Sequence, residues 1–232
     1  MKKINLLLLT FTIASATFSQ SGTTGSTGTT GTNRMKMQFG LDVGANFAKF
    51  DLDDEEFSNR ALIPSVKNKT SFHVGGFVNI PISQVVSLKP QIIYSRQGSE
   101  VTQPIGTGAT ATTAKYDEDL GYIYVAPAAI HLMSNQGLMF ESGPMLGFLV
   151  SAEQDGQAVT SNSVIKSQRN PLDFLWSSGI GYLSKVGLGF HARYNYGFSN
   201  IYRTKNNQNP NGEAHNRIIQ LGLMYHFGGH GH

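Results

Sequence analysis

Ribbons of alternating apolar and polar residues, connections that alternate long and short, and no helical apolar span after the first 20 residues predict an all-β protein. Together they specify an eight-stranded antiparallel up-and-down transmembrane β-barrel, because a chain without spanning helices crosses lipid only as a closed sheet.

The ribbon 186–198 (VGLGFHARYNYGF) carries the clearest signal. Val186, Leu188, Phe190, Ala192, Tyr194, Tyr196 and Phe198 share one face, and Gly187, Gly189, His191, Arg193, Asn195 and Gly197 share the other. Successive strand side chains point to opposite faces, so this is a strand with one apolar and one polar side. Its length suits the roughly 9–11 residues of a tilted spanning strand better than the usual sandwich strand of about 5–6.

The other ribbons follow in order. The first, 37–47, sets Met37, Phe39, Leu41, Val43, Ala45 and Phe47 against Gln38, Gly40, Asp42, Gly44 and Asn46. Residues 71–80 alternate through Phe72, Val74, Val78 and Ile80, and residues 81–84 turn the chain. The next puts Val86, Leu88, Pro90, Ile92 and Tyr94 outward and Ser87, Lys89, Gln91 and Ser95 inward, although proline has no donor for a ladder. In 120–132 the even positions Tyr122, Tyr124, Ala126, Ala128 and Ile130 are assigned to lipid. After the turn signal 133–137, residues 138–150 direct Phe140, Pro144, Leu146, Phe148 and Val150 outward and Glu141, Gly143 and Gly147 inward. Ribbon 172–182 opposes Phe174, Trp176, Ile180 and Tyr182 to Asp173, Ser177, Gly179 and Gly181. The last, 217–227, places Ile219, Leu221, Leu223, Tyr225 and Phe227 on one face.

Residues 49–70, 97–119, 152–170 and 199–216 are expected as long extracellular loops, and the three short turns face the periplasm. Phe39, Phe47, Tyr94, Tyr122, Tyr182, Phe198 and Tyr225 would form aromatic girdles at the two interfaces. A soluble lipocalin-like barrel is the main alternative, and it would invert every face.

The ends complete the organisation. Residues 1–20 read as a secretory signal peptide: Lys2 and Lys3, an apolar run from Leu6 to Ile13, and a small-residue exit at 14–16 or 17–19. Residues 21–35 are a flexible Gly/Ser/Thr linker, 36–227 the barrel and 228–232 a short tail. Losing Lys2 and Lys3 takes the basic count from 18 to 16, against 15 acidic residues, so the basic balance points to no nucleic-acid partner. Cysteine is absent, which excludes disulfides, thiolate metal sites, thiol catalysis and a cysteine lipid anchor.

The segments FHVGGFVNIPIS, LKPQIIYSRQG, YIYVAPAAI, FESGPMLGFL, GIGYLSKVGLGFHARYNYGFSNI and IIQLGLMYHF resemble the outer-membrane β-barrel (porin family, PorT-like) proteins of Bacteroidetes. The resemblance covers most of the chain after the linker and implies a fold in the outer membrane of a Gram-negative envelope, with little said about activity. Such barrels usually end on the aromatic residue read by the insertion machinery, whereas here five residues follow Phe227.

Among candidate sites, inward Asp42, Lys89, Glu141, Asp173 and Arg193 form an expected lumen network. Eight strands leave an interior that side chains fill, so this set reads as ion pairs plugging the barrel rather than a selective pore. Arg193 is expected to pair with Asp173 on the adjacent ribbon, with Asp42 a longer reach. The run Asp51, Asp53, Asp54, Glu55, Glu56 has calcium-type oxygens but not the glycine and terminal glutamate of an EF-hand, and reads as a solvated loop. His226, His230 and His232 read as a tail without supporting structure. The Gly187–Ala192 match to a dinucleotide fingerprint fails because a strand, not a helix, continues from it. His73 and His215 are placed near the loop end, where no spacing selects a catalytic triad.

The expected function is a structural or interaction role through the long extracellular loops, with no catalytic set, metal or cofactor. The alternatives are a small passive or ligand-binding porin and an envelope secretion component. Expected partners are outer-membrane lipid, the outer-membrane insertion machinery, and an extracellular ligand or envelope protein met through the loops.

Overall fold

The computed structural model describes residues 37–52, 65–105, 112–154, 157–158, 169–201 and 214–227. The expected signal peptide 1–20, the expected linker 21–35 and the expected tail 228–232 lie outside the described residues, as do positions 53–56 of the acidic run. The strands are β1 (Gln38–Leu52), β2 (Ser65–Pro81), β3 (Val86–Ile105), β4 (Thr112–Met133), β5 (Leu138–Gln154), β6 (Gln157–Ala158), β7 (Leu172–Leu183), β8 (Leu188–Gly197) and β9 (Ala214–His226). All pair antiparallel with their neighbours. β6 is a two-residue extension on β5, and the eight long strands close into a barrel through β1–β9, with Phe227 N donating to Phe39 O at 2.8 Å.

Short turns join β2–β3, β4–β5 and β7–β8. The last two share one design, Ser-x-x-Gly. Ser134 and Ser184 accept from the amides of Gly137 and Gly187 at 3.0 Å, and both glycines have φ near +90° (89° and 88°), a conformation that glycine adopts without strain. In the β2–β3 turn, Ser83 Oγ accepts from the Val86 amide at 3.0 Å.

At the opposite end the strands run further than the hydrophobic alternation does. Parts of the expected loops 49–70, 97–119 and 152–170 are strand: β3 and β4 stay paired as far as Ile105↔Thr112, and β1 pairs with β9 up to Leu52↔Ala214. Apolar alternation marks only where a strand meets lipid, and the ladder continues into water with Thr, Ser, Lys and Glu on both faces. The exterior there is charged. Lys69 pairs with Asp119 at 2.8 Å and Asp117 at 3.0 Å, and Arg96 with Glu153 at 2.6 Å.

Below those pairs the exterior is an apolar belt. Phe39, Leu41, Ile92, Ile180, Phe190 and Leu223 are each at least half exposed, far more apolar surface than a soluble monomer presents. This orientation excludes the lipocalin-like alternative, in which these side chains would point inward.

One face assignment is wrong. Tyr122, Tyr124 and Ala126 are buried in the lumen at 1–2% exposure, while Ile123, Ala128 and Ile130 face out. The cause is a bulge around Pro127: the β4–β5 register jumps between Val125↔Leu146 and Ile130↔Ser142, and the β3–β4 register between Lys89↔Ala129 and Gln91↔Ala126. One extra residue flips every side chain beyond it, so Tyr122 is a lumen residue and not part of a girdle.

Candidate functional site in the barrel lumen

The lumen is filled in three layers. Toward the short turns, Phe77, Met139, Leu183 and Met224 pack into an apolar layer. Toward the long connections, a larger apolar layer is built on Ile93, Leu120, Tyr122, Tyr124, Leu175 and Ile218. Between them lies a belt of charged and imidazole groups.

Asp42 and Arg193 are ion-paired through Oδ2 and Nη2, and Arg193 Nε lies 2.7 Å from Glu141 Oε1. Glu141 Oε2 accepts from Lys89 Nζ at 2.9 Å. The chain Asp42–Arg193–Glu141–Lys89 thus crosses the interior from β1 to β8, β5 and β3, with every member almost fully buried. Two anions and two cations alternate along it. Breaking such a buried pair costs far more than the intact pair contributes, because it leaves a charge stranded.

Glycines make the crossings possible. Glu141, Gly179 and Arg193 occupy one cross-strand row, and a Cβ on Gly179 would stand 2.6 Å from Arg193 Cγ. A second row runs His73, Gly44, Gly222, His191 across β2, β1, β9 and β8. The Asp42 side chain lies over its two central glycines, with Oδ1 2.8 Å from His191 Nε2 and 3.4 Å from His73 Nε2. A Cβ on Gly222 would come within 3.1 Å of Asp42 Oδ1.

Asp173 stands apart from the belt. Its partners are Tyr124 Oη (2.6 Å), Asn216 Nδ2 (2.6 Å) and Ser199 Oγ (3.2 Å), all donating to it within the outer layer. The expected Arg193–Asp173 pair is not formed. Arg193 lies opposite Gly179, six residues along β7 from Asp173, which is roughly 20 Å of strand. Arg193 takes the reach across β9 to Asp42 instead. His73, placed near the loop end by the sequence, is fully buried at belt level opposite Gly44. His215 does lie at the loop end, on the first turn of ladder in β9. His226 is buried beside Phe77 with ring centroids 4.8 Å apart, while His230 and His232 lie outside the described residues.

Sequence reasoning overlooked His73, His191 and Asn46 as belt members. Each sits on the polar face of its ribbon, so the alternation carried the signal, and only the cross-strand register was lacking.

A closed antiparallel barrel with an apolar exterior and a charged, filled interior defines a transmembrane outer-membrane barrel. Residues 18–203 match the family described as "Outer membrane protein beta-barrel domain", and the chain belongs to that family. It is a protein of the Gram-negative outer membrane. No protein of curated function matches the chain. Among solved structures, it is similar to Ail, the attachment invasion locus protein of Yersinia pestis. That match has 13% identity over 83% of this chain and 100% of Ail, with a TM-score of 0.44. Neisserial surface protein A is similar at 13% identity over 81% of this chain and 96% of its own, with a TM-score of 0.48. OprG from Pseudomonas aeruginosa matches at 10% identity over 82% and 95%, with a TM-score of 0.46.

Proposed function

We propose that this chain is a plugged outer-membrane barrel with a structural or interaction role, acting through its extracellular connections rather than as a passive pore or an enzyme. The filled lumen carries this reading. Two apolar layers enclose a belt whose charges neutralise one another, which leaves solutes neither a wide path nor an unbalanced field. The lateral partner is outer-membrane lipid along the apolar belt, and assembly needs the insertion machinery. The specific partner is an extracellular ligand or envelope protein, met by the four long connections at one end of the barrel.

Conductance tests the plug. The refolded protein in planar lipid bilayers is expected to give no steady current under applied voltage. Large, stable openings would replace this reading with the small-porin alternative.

A further inference from the structure

We propose that Asp42, His73 and His191 form a binding site for a divalent transition-metal ion, such as Zn²⁺, inside the barrel wall. The three donor atoms come from three strands and all lie within 4.8 Å of one another. The separations of 2.8 and 3.4 Å about Asp42 Oδ1 bracket the spacing of about 3.3 Å that tetrahedral ligands take around zinc.

The hydrogen bonds around His73 supply the second argument. Asn46 Nδ2 donates to the carbonyls of Phe72 (2.9 Å) and Arg96 (2.8 Å), which turns its Oδ1 toward Gln220 Nε2 at 2.9 Å and His73 Nδ1 at 2.7 Å. An amide oxygen only accepts, so His73 Nδ1 carries a proton, and whenever the ring is neutral its Nε2 presents a lone pair. That nitrogen is fully buried, has no hydrogen-bond partner among the described residues, and faces a carboxylate oxygen 3.4 Å away. Two lone pairs converging on one point call for a cation between them.

The surroundings fit a ligand set. A metal-bound histidine commonly donates its other ring nitrogen to a carbonyl oxygen, as His73 does to Asn46. Asp42 commits Oδ2 to Arg193 and keeps Oδ1 for the imidazole side. Gly44 and Gly222 floor the site, where any side chain would intrude. Two imidazoles and one carboxylate select zinc and its first-row neighbours over calcium or magnesium, which prefer all-oxygen sites.

Charge limits the strength of binding. Asp42, Glu141, Lys89 and Arg193 already sum to zero, and Arg193 Nε donates to His191 Nδ1 at 3.1 Å. Ligation through His191 Nε2 moves the ring proton to Nδ1, displaces that contact and leaves the ion's charge without an offset. The site is therefore selective by donor type and modest in affinity. Because apolar layers close both ends, the ion enters as the barrel folds.

The test refolds the full chain into lipid vesicles over a range of ZnCl₂ or CoCl₂ concentrations and measures bound metal per chain by equilibrium dialysis. A His230→Ala/His232→Ala variant removes the tail histidines as competitors. It should retain one ion per chain, with a cobalt visible spectrum from nitrogen and oxygen ligands. His73→Gln in that background should lower affinity at least about 10-fold, its folding checked by gel mobility before and after heating. Metal lost entirely with the tail histidines, or binding unaffected by His73→Gln, overturns the site. If His73→Gln does not fold, the tail-free protein decides alone: one retained ion supports the site and none removes it.

Discussion

Arg193 is the residue on which the lumen turns. It is 2% exposed, bonds carboxylates on two different strands, and lies along the His191 ring with contacts of 3.1 Å to each ring nitrogen. Replacing it with Leu strands Asp42 and half of the Glu141 interaction. The expected loss is about 3–5 kcal/mol, read by urea unfolding in lipid vesicles. Partnership is then tested by a double-mutant cycle. Asp42→Asn should recover part of the Arg193→Leu loss, because the two groups interact directly. Asp173→Asn should add to it independently, because its carboxylate belongs to Tyr124, Asn216 and Ser199. Additive losses with Asp42 and coupling with Asp173 would reverse the pairing. The sequence put both carboxylates on inward faces and its strand order favoured Asp173, but neighbouring strands are offset and adjacency in order is not adjacency in height.

At the scale of the strand, legibility depends on whether the pleat is regular. β1, β5, β7, β8 and β9 face as their alternation predicts, from Phe39 and Leu41 on β1 to Leu223 and Tyr225 on β9. β4 does not, because Pro127 sits in a bulge that shifts the register against both β3 and β5. In YIYVAPAAI an even-numbered face and an odd-numbered face are equally apolar, so hydropathy alone cannot choose between Tyr122/Tyr124 and Ile123/Val125. The lumen gains two stacked tyrosines from that choice, with ring centroids 5.5 Å apart. The chain lacks cysteine, so single substitutions report orientation cleanly. Ile123→Cys should react with a lipid-soluble maleimide in vesicles and Tyr122→Cys should not. Labelling of Tyr122→Cys with Ile123→Cys protected would restore the regular pleat. The overhanging ladder was also beyond reach of periodicity, because residues such as Thr112, Thr113 and Lys115 extend a sheet into water without any apolar face to reveal it.

Across the whole barrel, two apolar layers and the charged belt between them fill the lumen, and on the proposed plugged reading this decides what it would take to open it. The turn-side layer is coupled to the belt: Lys89 Nζ lies 4.3 Å from the centre of the Phe77 ring and 3.9 Å from Met224 Sδ. The loop-side layer is coupled to Asp173 through Tyr124, whose hydroxyl also accepts from Gln97 at 2.5 Å. Truncating the turn-side layer with Phe77→Ala and Met224→Ala removes large side chains from a packed interior, at roughly 2–5 kcal/mol each. Water then reaches Lys89 and stops at the Asp42–Arg193–Glu141 crossing, with the loop-side layer still closed above it. The double variant is therefore expected to unfold at lower urea yet stay electrically silent in planar bilayers. Adding Tyr124→Ala removes a seal on the other side of the belt, and brief, irregular current steps are expected only then. Steady current from Phe77→Ala/Met224→Ala alone would mean that one layer holds the seal, and the charged belt would then be the lining of a gated pore.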